Sequence, residues 1–216
     1  MLVLLMLLGQ QVYSQNYPGL GSWNILTLKK PLNDKFELWG EGQLRSLSFY
    51  NNFHYHELKG GVNYKLTKEL TVSVNAGDYT TYTFGGNLTN PVTKEFRTWI
   101  ELFDRQKFDR FNIEHRYRVE QRFSTTYSNR YRYRLSFVVP INKREIKPNT
   151  FYVHGCDEVF FNDSKSVFIR NRFMYGVGYK FERTTLQLGY MKQFDLKTQS
   201  DWLKNYIQVQ MIYNFK

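Results

Sequence analysis

The chain is predicted to be all-β, an antiparallel transmembrane β-barrel of about ten strands, with twelve as the alternative. Three observations carry this prediction. Apolar and polar residues alternate with period two through most of the sequence, as they do in a strand with a different medium on each side. Aromatic residues make up 18% of the 216 residues and Pro numbers only 5, a composition that favours sheet. The last segment sets Ile207, Val209, Met211, Tyr213 and Phe215 on one parity against Gln208, Gln210 and Asn214.

Residues 1–14 are expected to be a signal peptide, leaving one domain over 15–216. Leu2 to Leu8 form a short apolar run, and Val12 and Ser14 suit cleavage before Gln15. A positive n-region is missing, so either the true start lies upstream or the run begins a buried helix. No apolar run reaches the 18 residues a membrane-crossing helix needs.

Segment 22–30 alternates weakly. Next, Phe36, Leu38 and Leu44 oppose Glu37, Glu41, Gln43 and Arg45, with Gly40 and Gly42 on the apolar face. Leu58, Val62 and Tyr64 oppose Glu57, Lys59 and Asn63; Leu70, Val72, Val74 and Ala76 oppose Thr71, Ser73 and Asn75. Segment 95–106 is weaker. Then Phe111, Ile113, Tyr117 and Val119 oppose Glu114, Arg116, Arg118, Glu120 and Arg122. Tyr131, Tyr133, Leu135 and Phe137 oppose Arg130, Arg132 and Arg134. After a weak segment at 150–161, Phe173, Tyr175, Val177 and Tyr179 oppose Arg170, Arg172, Gly176 and Gly178. Leu186, Leu188 and Tyr190 oppose Gln187 and Gln193.

Eleven segments result, whereas single-chain bacterial barrels usually have an even number. Segment 22–30 therefore reads as an extra N-terminal piece, or a further strand completes a twelve. Tight connections at 31–35, 67–69, 107–110 and 182–184 alternate with longer ones at 47–52, 83–94, 124–129, 162–165 and 196–204. The 140–149 connection is long but falls in the tight series. Short turns on one side and longer loops on the other suit a membrane barrel.

Alternation alone also fits a soluble barrel with its apolar face inward. The uncharged face here is too broad for the interior of one narrow barrel and too continuous to leave in water. It is therefore expected to face lipid, with Tyr and Trp near the strand ends forming interfacial girdles.

The polar face then becomes the lumen. It is expected to hold Arg45, Arg97, Arg116, Arg118, Arg122, Arg130, Arg132, Arg134, Arg170 and Arg172 beside Glu37, Glu41, Glu57, Glu101, Glu114, Glu120 and Glu158. One reading is a salt-bridged plug that braces the wall. A sharper one is a positive lumen for small anionic solutes, because arginines outnumber the carboxylates. The run HRYRVEQRFSTTYSNRYRYRLSF at 115–137 and the net charge of +11 also suit a nucleic-acid groove by composition. Period two turns these arginines inward, and export removes the chain from nucleic acid, so no such partner is expected.

The terminal strand resembles the signal read by the outer-membrane barrel-assembly machinery, although Lys216 follows Phe215. The chain also resembles a bacterial outer-membrane barrel family catalogued as domain of unknown function 2490. The residues that carry the resemblance are Ser22-Trp23, Pro31 to Lys35, Glu41 to Arg45, the central Arg-Tyr-Arg runs, Asp157 to Asn162, and Arg170-Asn171-Arg172 before Gly176 and Tyr179. It implies a fold and an outer-membrane location, with no settled activity.

No cofactor is expected, and the chain is read as a monomer and not an enzyme. His54 and His56 share a strand face, but two ligands do not define a metal site. A hydrolase acting on lipid would need Ser46 or Ser48 to meet His54 or His56 across a hairpin, with no third group placed. This and a soluble ligand-binding barrel remain the alternatives. His115 falls oddly on the apolar parity, and the single Cys156 reads as an inert strand residue.

Overall fold

In the computed structural model, residues 15–163, 167–196 and 202–216 are described; the expected signal peptide lies outside them. Every regular element is a strand: β1 (Gln15–Pro31), β2 (Phe36–Ser48), β3 (Asn51–Lys65), β4 (Leu70–Tyr82), β5 (Pro91–Phe108), β6 (Phe111–Phe123), β7 (Ser128–Pro140), β8 (Thr150–Asn162), β9 (Phe168–Lys180), β10 (Thr184–Asp195) and β11 (Trp202–Asn214). Sequence neighbours pair antiparallel, and β1 meets β11 to close the barrel.

The expected ten strands are thus corrected to eleven, and the segment read as an extra piece is a wall strand. With an odd count the first and last strands run the same way, so the seam is parallel. It pairs Leu20 with Asn205 through Lys29 with Asn214. Both edges are thereby satisfied, which is what closure must achieve. The even-number rule fails because a parallel ladder can close a barrel as well as an antiparallel one.

The expected contrast between short and long connections holds only in part. The 47–52 connection is a tight turn at Phe49 and Tyr50, with positive φ at Tyr50 (50°) and Asn52 (55°). The eight-residue link at 83–90 is matched across the barrel by 141–149.

Strands of mostly 13 residues, at about 3.3 Å per residue and tilted by about 40°, project roughly 30 Å along the barrel axis. That is about the thickness of a hydrocarbon core. The outer wall is apolar over this height: Leu58 is 68% exposed, Val74 61%, Ile100 57% and Leu188 53%. Aromatic pairs lie at the strand ends, Phe36 with Tyr64, Phe151 with Tyr179 and Tyr213 with Phe215 at one end, and Phe96 with Phe123 and Phe161 with Phe168 at the other.

Glycines on the lumen side receive large side chains. A β-carbon at Gly178 would run into the Tyr152 ring, and one at Gly176 would lie 3.0 Å from His154 Nε2. Tyr152 and His154 are therefore buried.

Candidate functional site

A cavity of about 1370 Å³ fills the lumen from Lys68, Glu69 and Lys107 at one rim to Thr81, Thr93 and Arg122 at the other. All ten arginines named from the sequence line it, as do Glu41, Glu57, Glu114 and Glu158. Glu101 and Glu120 are buried beneath their arginine partners, and Glu37 pairs with Lys29 at 3.9 Å while accepting from Asn63.

The register sets arginines side by side. Arg116 faces Arg134 and Arg118 faces Arg132 across β6 and β7, and Arg97 faces Arg122 across β5 and β6. Like charges directly opposed are destabilising unless counter-charge reaches them. Glu95 supplies it to Arg97 and Arg122 and Glu114 to Arg134, and three carboxylates serve the rest. Glu158 takes Arg132 at 2.7 Å, Arg172 at 3.7 Å and a short pair from Arg116. Glu120 takes Arg118 and Arg132 at 3.4 Å, Arg97 at 3.6 Å and a short pair from Arg130. Glu101 takes Arg116 at 3.5 Å and Arg118 at 2.5 Å. Six guanidiniums therefore meet at these three carboxylates, Arg97 having Glu95 as a further, closer partner.

The buried Phe160 ring supports the same cluster, with guanidinium carbons of Arg132 at 4.4 Å, Arg172 at 4.8 Å and Arg130 at 5.5 Å from its centroid. Such stacking is favourable when desolvated. Yet Nε of Arg116, Arg122, Arg130 and Arg134 finds no hydrogen-bond partner among the described residues, nor does Nε of Arg45.

Each remaining lumen arginine also meets a carboxylate. Arg45 pairs with Glu57 at 3.0 Å, and Lys59 bridges Glu57 at 2.5 Å and Glu41 at 2.8 Å. Glu95 takes Arg122 at 2.5 Å and a short pair from Arg97, Glu114 takes Arg134 at 3.1 Å and Arg105 at 2.9 Å, and Arg170 pairs with Asp195. Sequence reasoning missed Glu95 and Asp195, which sit at strand ends where the alternation is weakest. It also missed Trp23, which stacks under Arg45 at 3.5 Å and donates to Gln43 at 2.8 Å.

The other candidates separate. The register skips His54 between Arg45–Tyr55 and Ser46–Phe53. This bulge turns His54 to the lumen, while His56 meets Tyr82 at 3.3 Å. The two histidines therefore do not share a site, and no metal-binding cluster exists among the described residues. Ser46 is bonded to Ser22 at 2.6 Å and donates to the Ser48 carbonyl, so it has no histidine partner for a hydrolase. His115, on the outer wall, bonds Tyr133 at 2.8 Å, which accounts for a polar ring on the apolar parity. Cys156 is a free, buried thiol on the lumen side. Val209 and Met211 of β11, and Phe215 just after it, are exposed on the outer face.

Among curated proteins none matches the chain. Of the solved structures, LpxR from Salmonella typhimurium superposes with a TM-score of 0.54 at 11% identity, covering 88% of this chain and 87% of that one. The likeness is one of fold. The siderophore receptor PirA from Pseudomonas aeruginosa aligns with a TM-score of 0.29 at 13% identity, over 80% of this chain and 38% of that one, too low to bear on the fold. Residues 20–204 match the family model described as Protein of unknown function (DUF2490), and the chain belongs to that family.

Proposed function

We propose that the protein is an integral outer-membrane barrel whose lumen binds and passes small anionic solutes. Export would use the segment at 1–14, and insertion would depend on the barrel-assembly machinery reading β11. The working unit is a monomer with its apolar wall in lipid. The observation that carries the solute reading is the excess of guanidinium over carboxylate in the central cluster, whose arginines line the cavity. A plug built only for bracing would match its charges, because an unmatched buried ion is costly. An anion in transit supplies the missing charge at a site that need not hold it permanently, as conduction requires. The reading assigns the lumen no catalytic step.

The test is reconstitution in a planar bilayer under a tenfold KCl gradient. The expected reversal potential lies toward the chloride equilibrium value. Arg132→Gln, which leaves Glu120 and Glu158 with fewer partners, should shift it toward zero. Cation preference, or a silent barrel that binds no anion, would contradict the proposal.

A further inference from the structure

The lumen is not ionic throughout. Trp23, Met191 and Tyr206 form a buried apolar cluster against which Ile25 and Met174 pack, and all five line the cavity. The register explains the grouping. Met174 faces Met191 across β9 and β10, and Met191 faces Tyr206 across β10 and β11. Trp23 meets Tyr206 edge-on with centroids 5.7 Å apart. Gly21 leaves the room, since a β-carbon there would lie 2.7 Å from the Tyr206 ring.

These residues break the barrel's own pattern. Inward aromatics elsewhere, such as Tyr79, Trp99 and Phe160, lie against arginines. Here Ile25, Met174 and Met191 join the rings instead, and such a local departure from pattern is where function is sought. Nor is the patch isolated from charge. The Arg172 guanidinium lies 4.9 Å from the Trp23 centroid and 3.7 Å from Glu158, and Arg45 lies 3.5 Å over Trp23. One wall of the cavity is thus aromatic and thioether and the next is cationic, with Arg45 and Arg172 at the border. Thioethers adapt to varied apolar shapes, and the volume of about 1370 Å³ is above the roughly 300–1,000 Å³ typical of small-molecule sites.

We infer that the lumen selects organic anions with an aromatic or otherwise apolar body over bare inorganic anions. The sulfonate or carboxylate end lies against Arg172 and Arg45, and the apolar body lies against Ile25 and Met174, the partly buried residues over the Trp23, Met191 and Tyr206 cluster. This rests on the anion-binding reading above and adds the solute class.

The experiment is calorimetric titration of the full chain in nanodiscs with naphthalene-2-sulfonate and, separately, methanesulfonate, with empty nanodiscs as the blank. Both probes carry the same anionic group, so their ratio isolates the apolar patch. The naphthalene ligand should bind at least about tenfold tighter, as expected for burying part of an aromatic ring. Met174→Gln and Ile25→Gln should each bring the ratio toward one, with folding checked by heat-dependent gel mobility. Equal affinity for the two probes in the unaltered protein would overturn the inference while leaving an anion-binding lumen intact. Binding of neither would overturn both.

Discussion

Glu158→Gln is the substitution expected to cost most for its size. The carboxylate is 6% exposed and lies against Arg132 at 2.7 Å, Arg172 at 3.7 Å and Arg116. At about 4 Å and an effective dielectric near 20, one such contact is worth about 4 kcal/mol, offset by the desolvation of both ions. An isosteric amide removes the attraction and leaves three guanidiniums repelling one another. Breaking a buried pair in this way costs about 3–5 kcal/mol, and that is the expected loss. The assay is reversible urea unfolding in lipid vesicles followed by tryptophan fluorescence. Arg105→Gln is the control: its side chain is 47% exposed, its partner Glu114 is 24% exposed, and an exposed pair contributes about 1 kcal/mol or less. Adding Arg132→Met to Glu158→Gln should recover part of the loss, a coupling expected of residues in contact. A Glu158→Gln variant within about 1 kcal/mol of the parent would refute the reasoning.

Glycine positions should divide sharply. Gly176→Ala should destabilise by about 1–3 kcal/mol, since the new methyl would lie 2.7 Å from Gly189 Cα and closer still to the Leu188 carbonyl. Gly42→Ala, with nothing within 4 Å, should change the urea midpoint little; equal effects would contradict the packing described. In the 141–149 connection, Lys107 at 2.6 Å and Lys147 at 2.9 Å hold the Glu145 carboxyl down to about 2. Because the folded value is depressed, this ion pair stabilises above the ordinary carboxylate value of about 4.3 and is lost as pH falls toward 2. A side-chain NMR titration should place the Glu145 midpoint near 2 and move it up in Lys107→Gln. A midpoint near 4.3 in the parent would show that the pair does not form.

Much of the wall was legible because alternation is a strong local signal. The Arg130, Arg132, Arg134 row and its tyrosine counterpart fix the two faces of β7 without reference to any other strand. The strand count was not legible, because nothing within residues 22–30 shows that they pair parallel with Ile207 to Asn214. That partnership spans nearly the whole chain and is a property of closure. The bulge at His54 was hidden for a related reason: it depends on how Ser46 meets Phe53. Partner choice within the lumen was also out of reach. Arg116 and Glu158 come from strands two apart, and only the curvature of a closed wall brings them together. The apolar patch of Trp23, Met191 and Tyr206 gathers from strands on both sides of the seam, so it could not be read before the seam was known.

Whether the apolar wall meets hydrocarbon is tested most directly by spin labels at two adjacent residues of β10. In a Cys156→Ala background, labels at Leu188→Cys, on the exposed outer wall, and at Gln187→Cys, on the cavity, are compared in vesicles. The label at 188 should collide readily with dissolved oxygen and little with a water-soluble nickel chelate, and the label at 187 should do the reverse. Greater access of the nickel chelate at 188 than at 187 would mean that the apolar face is not in lipid.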